Sequence, residues 1–315
     1  MIYSQKTALF NLASRKFSEK ESDAKIKKEK ADRIKTTLDG LRTRMSKDKI
    51  RGNDLAQLKG ASAWLNALPI AGEGYSLTKR EFFDAIALRY RWDLKRLPFN
   101  CSCSKKASFE PDHAMNCLTG GFVHRRHDGV RDILAQTLNQ VAYDVRIEPQ
   151  LQPLTGEVID QRGNLDDEAR TDIAARGFWA KGEMAHFDVK VFNPYAKSYL
   201  GSSLDALFKQ NESAKKREYG ERIVRIEHGS FTPVVLSAYG GFGVETNRFL
   251  AHLINKIADK RDLERSYVAN YIRTKISFHL VRSQVLCIRG ARKLYTPTID
   301  VDESEVAQET ARIRQ

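Results

Sequence analysis

The sequence predicts an α/β protein: a mixed central sheet flanked by helices, preceded by a helical N-terminal region and a small cysteine-rich knuckle. Three observations point there. Segments of different hydrophobic period follow one another as helix, strand, hairpin, helix, strand, strand, helix, the alternation expected of an α/β sheet. The chain carries C-x-C-x9-H-x3-C at Cys101, Cys103, His113 and Cys117. It is 315 residues long with a formal charge of +13, 41% hydrophobic and 9% aromatic residues. That is enough apolar material for a core, and enough positive charge to favour a phosphate-rich partner.

The charge is concentrated at the start. Residues 1–60 hold sixteen Lys/Arg against eight Asp/Glu. Residues 1–52 read as a basic helical arm in which Lys27 and Lys28 would contact nucleic acid; a solvated helix or partial disorder fits the same composition. No run of 18 apolar residues occurs, so neither a transmembrane helix nor a membrane partner is expected. The N-terminus lacks the apolar stretch of a signal peptide, so the expected location is intracellular: the nucleus if the source is eukaryotic, otherwise the cytoplasm.

Residues 53–98 read as a helical region. A first helix is expected from Asp54 to Leu68, then a break at Pro69 to Gly74. A second starts after Thr78, with Glu81 completing a capping box, and runs to Trp92. Residues 99–119 form the knuckle. Thiolates and an imidazole suit a closed tetrahedral Zn²⁺ site, and the x3 spacing sets His113 and Cys117 one helical turn apart. The C-x-C pair is tighter than the usual C-x2-C, which leaves open free thiols with a core histidine, or another metal. Cys287, alone in an apolar helix, reads as a small buried hydrophobe.

Residues 120–262 read as the sheet-bearing core. Gly120-Gly121 breaks the chain before a helix holding Arg125, Arg126, His127 and Arg131, whose arginines would make a basic edge. A strand follows at Val145 to Leu151, then a polar surface loop over 153–168. The next stretch, Ala169 to Pro194, reads as a hairpin turning through Gly177 and Gly182. Beyond it are a helix from Leu204 to Tyr219, strands at Arg222–Glu227 and Thr232–Ala238, and a helix from Glu245 to Lys260. Residues 263–295 read as a C-terminal helix and 296–315 as a polar tail, with Arg289, Arg292 and Lys293 extending a basic face.

The hairpin carries the chemistry. Residues two apart on a strand share a face, so Asp188 and Lys190 point together and Asp172 can come alongside from the partner strand. Two carboxylates converging there are costly to bury. A hard cation such as Mg²⁺ or Mn²⁺ resolves that cost.

Asp172 followed by Asp188-x-Lys190 resembles the D…(D/E)-x-K signature of the PD-(D/E)xK, or restriction-endonuclease-like, nucleases. The preceding C-x-C-x9-H-x3-C is similar to the Cys-Cys-His-Cys knuckle before the restriction-like endonuclease of some non-LTR retrotransposons. The stretch A-S-A-W-L-N-A-L-P-I, then K-R-E-F-F-D-A-I-A-L-R-Y-R-W, resembles the tail that follows the polymerase region in such proteins. The resemblance implies a restriction-endonuclease-like mixed sheet and Mg²⁺-dependent hydrolysis of DNA phosphodiesters. It implies Asp172, Asp188 and the Val189 carbonyl as Mg²⁺ (or Mn²⁺) ligands, with Lys190 aiding the water. It implies structural Zn²⁺ on Cys101, Cys103, His113 and Cys117.

The same resemblance suggests supporting roles. His127 stands where the first core helix can reach the site, though a capping or packing role fits it as well. Lys216 and Tyr219 stand where a polar residue and a tyrosine would line the phosphate path; a solvated stripe explains them equally. Glu148 is either a further carboxylate or a charge at a strand edge. No polymerase motif is present, so a freestanding nuclease module or a cut-down relative is expected. Two rival readings stay open: a non-catalytic, zinc-stabilised nucleic-acid-binding protein, and a branched-DNA (Holliday-junction-type) resolvase. RNA or branched nucleic acid is not distinguished from DNA, and the oligomeric state is open.

Overall fold

The computed structural model describes residues 23–103, 107–152 and 170–291. The first part of the basic arm, the loop at 153–168, and the end of the chain with Arg292, Lys293 and the polar tail lie outside the described residues. The chain divides into two compact units, Met1–Asp54 and Leu55–Gln315. In the first, helix α1 (23–42) is exposed along most of its length, Lys27 and Lys28 included. Its Arg42 pairs with Asp54 at 2.5 Å. Helix α2 follows at Lys47–Gln57.

The second unit holds α3 (Ala63–Asn66), α4 (Lys79–Tyr90), α5 (Pro111–Ala114) and α6 (Phe122–Leu138), then strand β1 (Tyr143–Ile147). It continues with β2 (Ile173–Arg176), β3 (Met184–Phe192), α7 (Leu204–Lys215), β4 (Ser230–Ser237), α8 (Val244–Arg261) and α9 (Arg265–Arg289). The four strands form one mixed sheet in the order β1-β2-β3-β4. β1, β2 and β3 are antiparallel neighbours, and β3 and β4 run parallel with Asp188 opposite Pro233. The mixed α/β class therefore holds.

The expected hairpin is β2–β3, registered Ile173↔Phe187. Gly177 and Gly182 turn it at φ 77° and 82°, a left-handed region that suits glycine. Behind it Phe178 packs on Phe187 and on Phe249 of α8, with ring centroids 5.4 and 5.3 Å apart. Each such ring, fully buried, contributes roughly 3 kcal/mol. Helix α6 packs on β1, β2 and β3, while α7 and α8 pack on β4. α9 lies against α3, α4, α6 and α8. Thr78 caps α4 through a capping box with Glu81, as its sequence demands.

Three elements differ from expectation. The helix expected at Asp54 to Leu68 is broken, because Gly60 takes φ 84° against the Phe242 ring; α2 ends at Gln57 and α3 is one turn. The strand expected at Arg222–Glu227 is a π-helical turn, Ile223–Glu227. Its slot beside β4 is already filled. Gly243 donates to the Val235 carbonyl at 2.9 Å, Val235 donates to the Thr246 hydroxyl at 2.7 Å, and Leu236 bridges Phe242. β4 is thus an edge in hydrogen-bond order though apolar and buried, and Pro233, lacking an N–H, is tolerated there. The strand expected at Val145–Leu151 starts earlier and ends at Ile147, and Glu148 sits beyond it at φ 49°.

Candidate active site and metal-ligating cluster

Asp172 and Asp188 come from neighbouring strands. Asp172 occupies the bend before β2, and its Oδ2 accepts from the Val189 backbone N–H at 2.6 Å. Asp188 lies within β3, and burial leaves its residue only 5% exposed. Its partner is one the sequence did not suggest: Lys215, at the C-terminal end of α7, sits with Nζ 3.1 Å from Asp188 Oδ2 and 3.0 Å from Glu218 Oε2. The contact to Asp188 is an ion pair without hydrogen-bond alignment, so Oδ2 is buried with no hydrogen-bond donor. Burial, then the neighbouring Asp172 charge, pushes the Asp188 carboxyl up to about 7 against the pull of Lys215.

Lys190 shares the Asp188 face of β3 and is exposed, and no ion pair reaches it among the described residues. The ammonium nearest the carboxylates is therefore that of Lys215. Tyr219 is buried beside it, with Lys215 Nζ 5.1 Å from the ring centroid. Burial and the Asp188 charge raise the Tyr219 hydroxyl's pKa. Lys216 turns away and pairs with Glu245 at 2.5 Å, which leaves it outside the carboxylate group.

His127 projects from α6 onto the same strands. Its Nε2 is 3.2 Å from Asp172 Oδ2 and 3.0 Å from the Val189 carbonyl oxygen, and its Nδ1 is 3.3 Å from Asp128. Burial pulls the imidazole down, and the bonds and charges of Asp172 and Asp128 outweigh it, so the pKa stands at about 9. An imidazolium donor thus bridges two oxygens that the resemblance assigns to a metal.

Two expected arginine contacts are corrected. Arg126 is 1% exposed and donates to the Met115 carbonyl at 3.2 Å, because it spans from α6 to the knuckle rather than to solvent. Arg131 is clasped by Asp128, Asp132 and Glu148, leaving no free fork for phosphate. Glu148 in turn faces Arg131 and, at 3.8 Å, Arg170, and only its backbone reaches the site, donating to the Asp172 carbonyl at 2.9 Å. Arg125 is exposed, as expected.

Cys101, Cys103, His113 and Cys117 converge with their ligand atoms all within 4.8 Å of one another. Among the described residues this is the one group of three or more His, Cys, Asp or Glu so arranged; Asp172 and Asp188 join no third ligand. Cys101 Sγ lies 3.8 Å from Cys117 Sγ, and Cys103 Sγ lies 3.6 Å from His113 Nε2. A tetrahedral ion with ~2.3 Å sulfur and ~2.05 Å nitrogen bonds sets sulfurs about 3.8 Å apart and sulfur from nitrogen about 3.6 Å. These two separations match, and all four cysteines, Cys287 included, are buried and outside any disulfide. The cluster could hold a metal such as zinc.

The knuckle is fastened to the sheet. Arg91 ends α4 in a left-handed conformation, grips Asp112 of α5 at 2.8 and 2.7 Å, and lies 4.2 Å over the Tyr195 ring just after β3. No protein-family model and no curated protein matches this chain.

Proposed function

We propose that the protein is a divalent-metal-dependent endonuclease hydrolysing DNA phosphodiesters on a restriction-endonuclease-like sheet, with a structural zinc in its Cys₃His knuckle. The observation that carries the reading is Asp188: a carboxyl buried beside a second carboxylate, its Oδ2 met by the Lys215 ammonium and its pKa nonetheless pushed to about 7. A residue kept only for stability has no reason to be held against its own ionisation, whereas a cation ligand does. Asp172, Asp188 and the Val189 carbonyl would hold Mg²⁺ or Mn²⁺; when bound, the ion polarises the phosphodiester and lowers the pKa of its water.

The chain's own groups supply the rest. Lys215 balances the Asp188 charge and restrains its rotamer. Lys190, exposed on the same face, can meet a phosphate oxygen or hold the attacking water. His127, now 3.2 Å from Asp172 Oδ2 and 3.0 Å from the Val189 carbonyl, would have to yield those oxygens to a bound ion and could then donate to phosphate. Cleavage of plasmid, single-stranded and branched DNA with Mg²⁺, Mn²⁺ or EDTA tests the reading. Asp188→Ala and Lys190→Ala should each abolish cutting while folding and DNA binding persist. Unchanged cutting in both would remove the centre.

One observation favours the rival, non-catalytic binding module. His127 already satisfies both Asp172 Oδ2 and the Val189 carbonyl, so these oxygens have a partner without any ion. DNA binding with no cleavage under any divalent ion would decide for it.

A further inference from the structure

A further group of unpaired cations lies away from this site. Beside α4 is a cavity of about 600 Å³ whose floor is apolar: Phe82, Phe83 and Ile86, with Phe82 48% and Phe83 47% exposed. Four exposed cations rim it, Lys79, Arg80, Lys95 and Arg96, and none of them has an ion pair among the described residues. The one acid at its wall, Asp84, is 1% exposed and consumed by Arg289 through two bonds of 2.7 Å. Two solvent-facing phenyl rings in a groove with uncancelled positive charge suit a polyanion that also offers flat apolar faces.

We propose that this groove binds single-stranded nucleic acid, its bases stacking on Phe83 and Phe82 and its phosphates meeting the four cations. Stacking needs unpaired bases, because a duplex hides their faces and shows only phosphates. The groove is formed without Asp172, Asp188 or the knuckle, so the inference stands apart from the cleavage reading.

The test is fluorescence anisotropy of the full chain with a labelled thymidine 20-mer, the matching duplex and a poly-glutamate peptide, in buffer without Mg²⁺. Phe83→Leu keeps apolar bulk without an aromatic face, and should weaken strand binding about tenfold or more, whereas Phe83→Tyr should not. Lys95→Gln with Arg96→Gln should flatten the slope of log K against log salt by about 1.4. Strand binding is read without Mg²⁺ and plasmid cleavage separately with it, so failure here and failure of the nuclease reading are told apart. Equal strand binding by the unaltered chain and Phe83→Leu, with unchanged melting temperatures, would overturn the proposal. So would duplex binding that depends on Phe83 as strongly, or poly-glutamate binding that is as tight and falls in the same variants; the latter would assign the groove to an acidic protein.

Discussion

Replacing Asp188 by Asn should make the protein more stable at alkaline pH while removing its proposed activity. A carboxyl moved from its ordinary 3.8 to about 7 favours the folded state only while protonated. Its contribution is full below pH ~4 and is lost as pH rises through 7, since the unfolded chain then releases the proton more readily. At pH 8 the ionised form costs on the order of 4 kcal/mol, from three units at ~1.36 kcal/mol each. Asparagine fills the same space without that charge. Lys215 loses one ionic neighbour but keeps Glu218 at 3.0 Å, so about half of the gross gain should survive. A gain of ~2 kcal/mol raises Tm by about 4–8 °C in a domain of this size. The assay is thermal unfolding of both proteins from pH 4 to 9 without added divalent ion, then with Mg²⁺. The difference should vanish at pH 4, and Mg²⁺ should raise the Tm of the unaltered protein alone. A variant that melts lower at pH 8, or a gap independent of pH, would refute the argument that Asp188 is held against its charge.

His127→Gln should destabilise by roughly 2–3 kcal/mol at pH 6 and much less at pH 9.5, because an imidazole at about 9 stabilises the fold below pH 6.5 and stops doing so as pH climbs through 9; urea unfolding at the two pH values checks it. Elemental analysis should find one zinc per chain, lost in Cys103→Ser, and stripping it with a thiol-compatible chelator should cost on the order of 4 kcal/mol or more in calorimetry. Thr78→Ala removes the side-chain half of the capping box, the hydroxyl that accepts from the Glu81 N–H, and should cost about 1 kcal/mol by urea denaturation. Gly240→Ala should cost ~2 kcal/mol or more by the same measurement, since φ is 89° and the new Cβ would lie 2.7 Å from Ala61 Cα.

What could be read from the sequence was local. The capping box, the β2–β3 turn and the Cys/His spacing each depend on residues a few positions apart, and each forms. Asp172 and Asp188 could be placed together because a hairpin has period two. Lys215 could not, because it reaches Asp188 only when α7 is carried over between β3 and β4. The strand expected at 222–227 failed for a related reason. Its alternation is real, but no local pattern shows that Gly243 and the first turn of α8, through Thr246, already cover the edge of β4. Arginines mislead most: Arg126 and Arg131 read like their exposed neighbour Arg125, and only the fold shows that one is walled in under Met115 and the other encircled by acids.

The Arg91 clamp has a thermodynamic consequence. Since one guanidinium ties Asp112, next to the ligand His113, to Tyr195 at the exit of β3, work done on either side is felt on the other. Were a metal to fill the Cys/His cage, its occupancy and the order at the end of the strand bearing Asp188 would be linked variables.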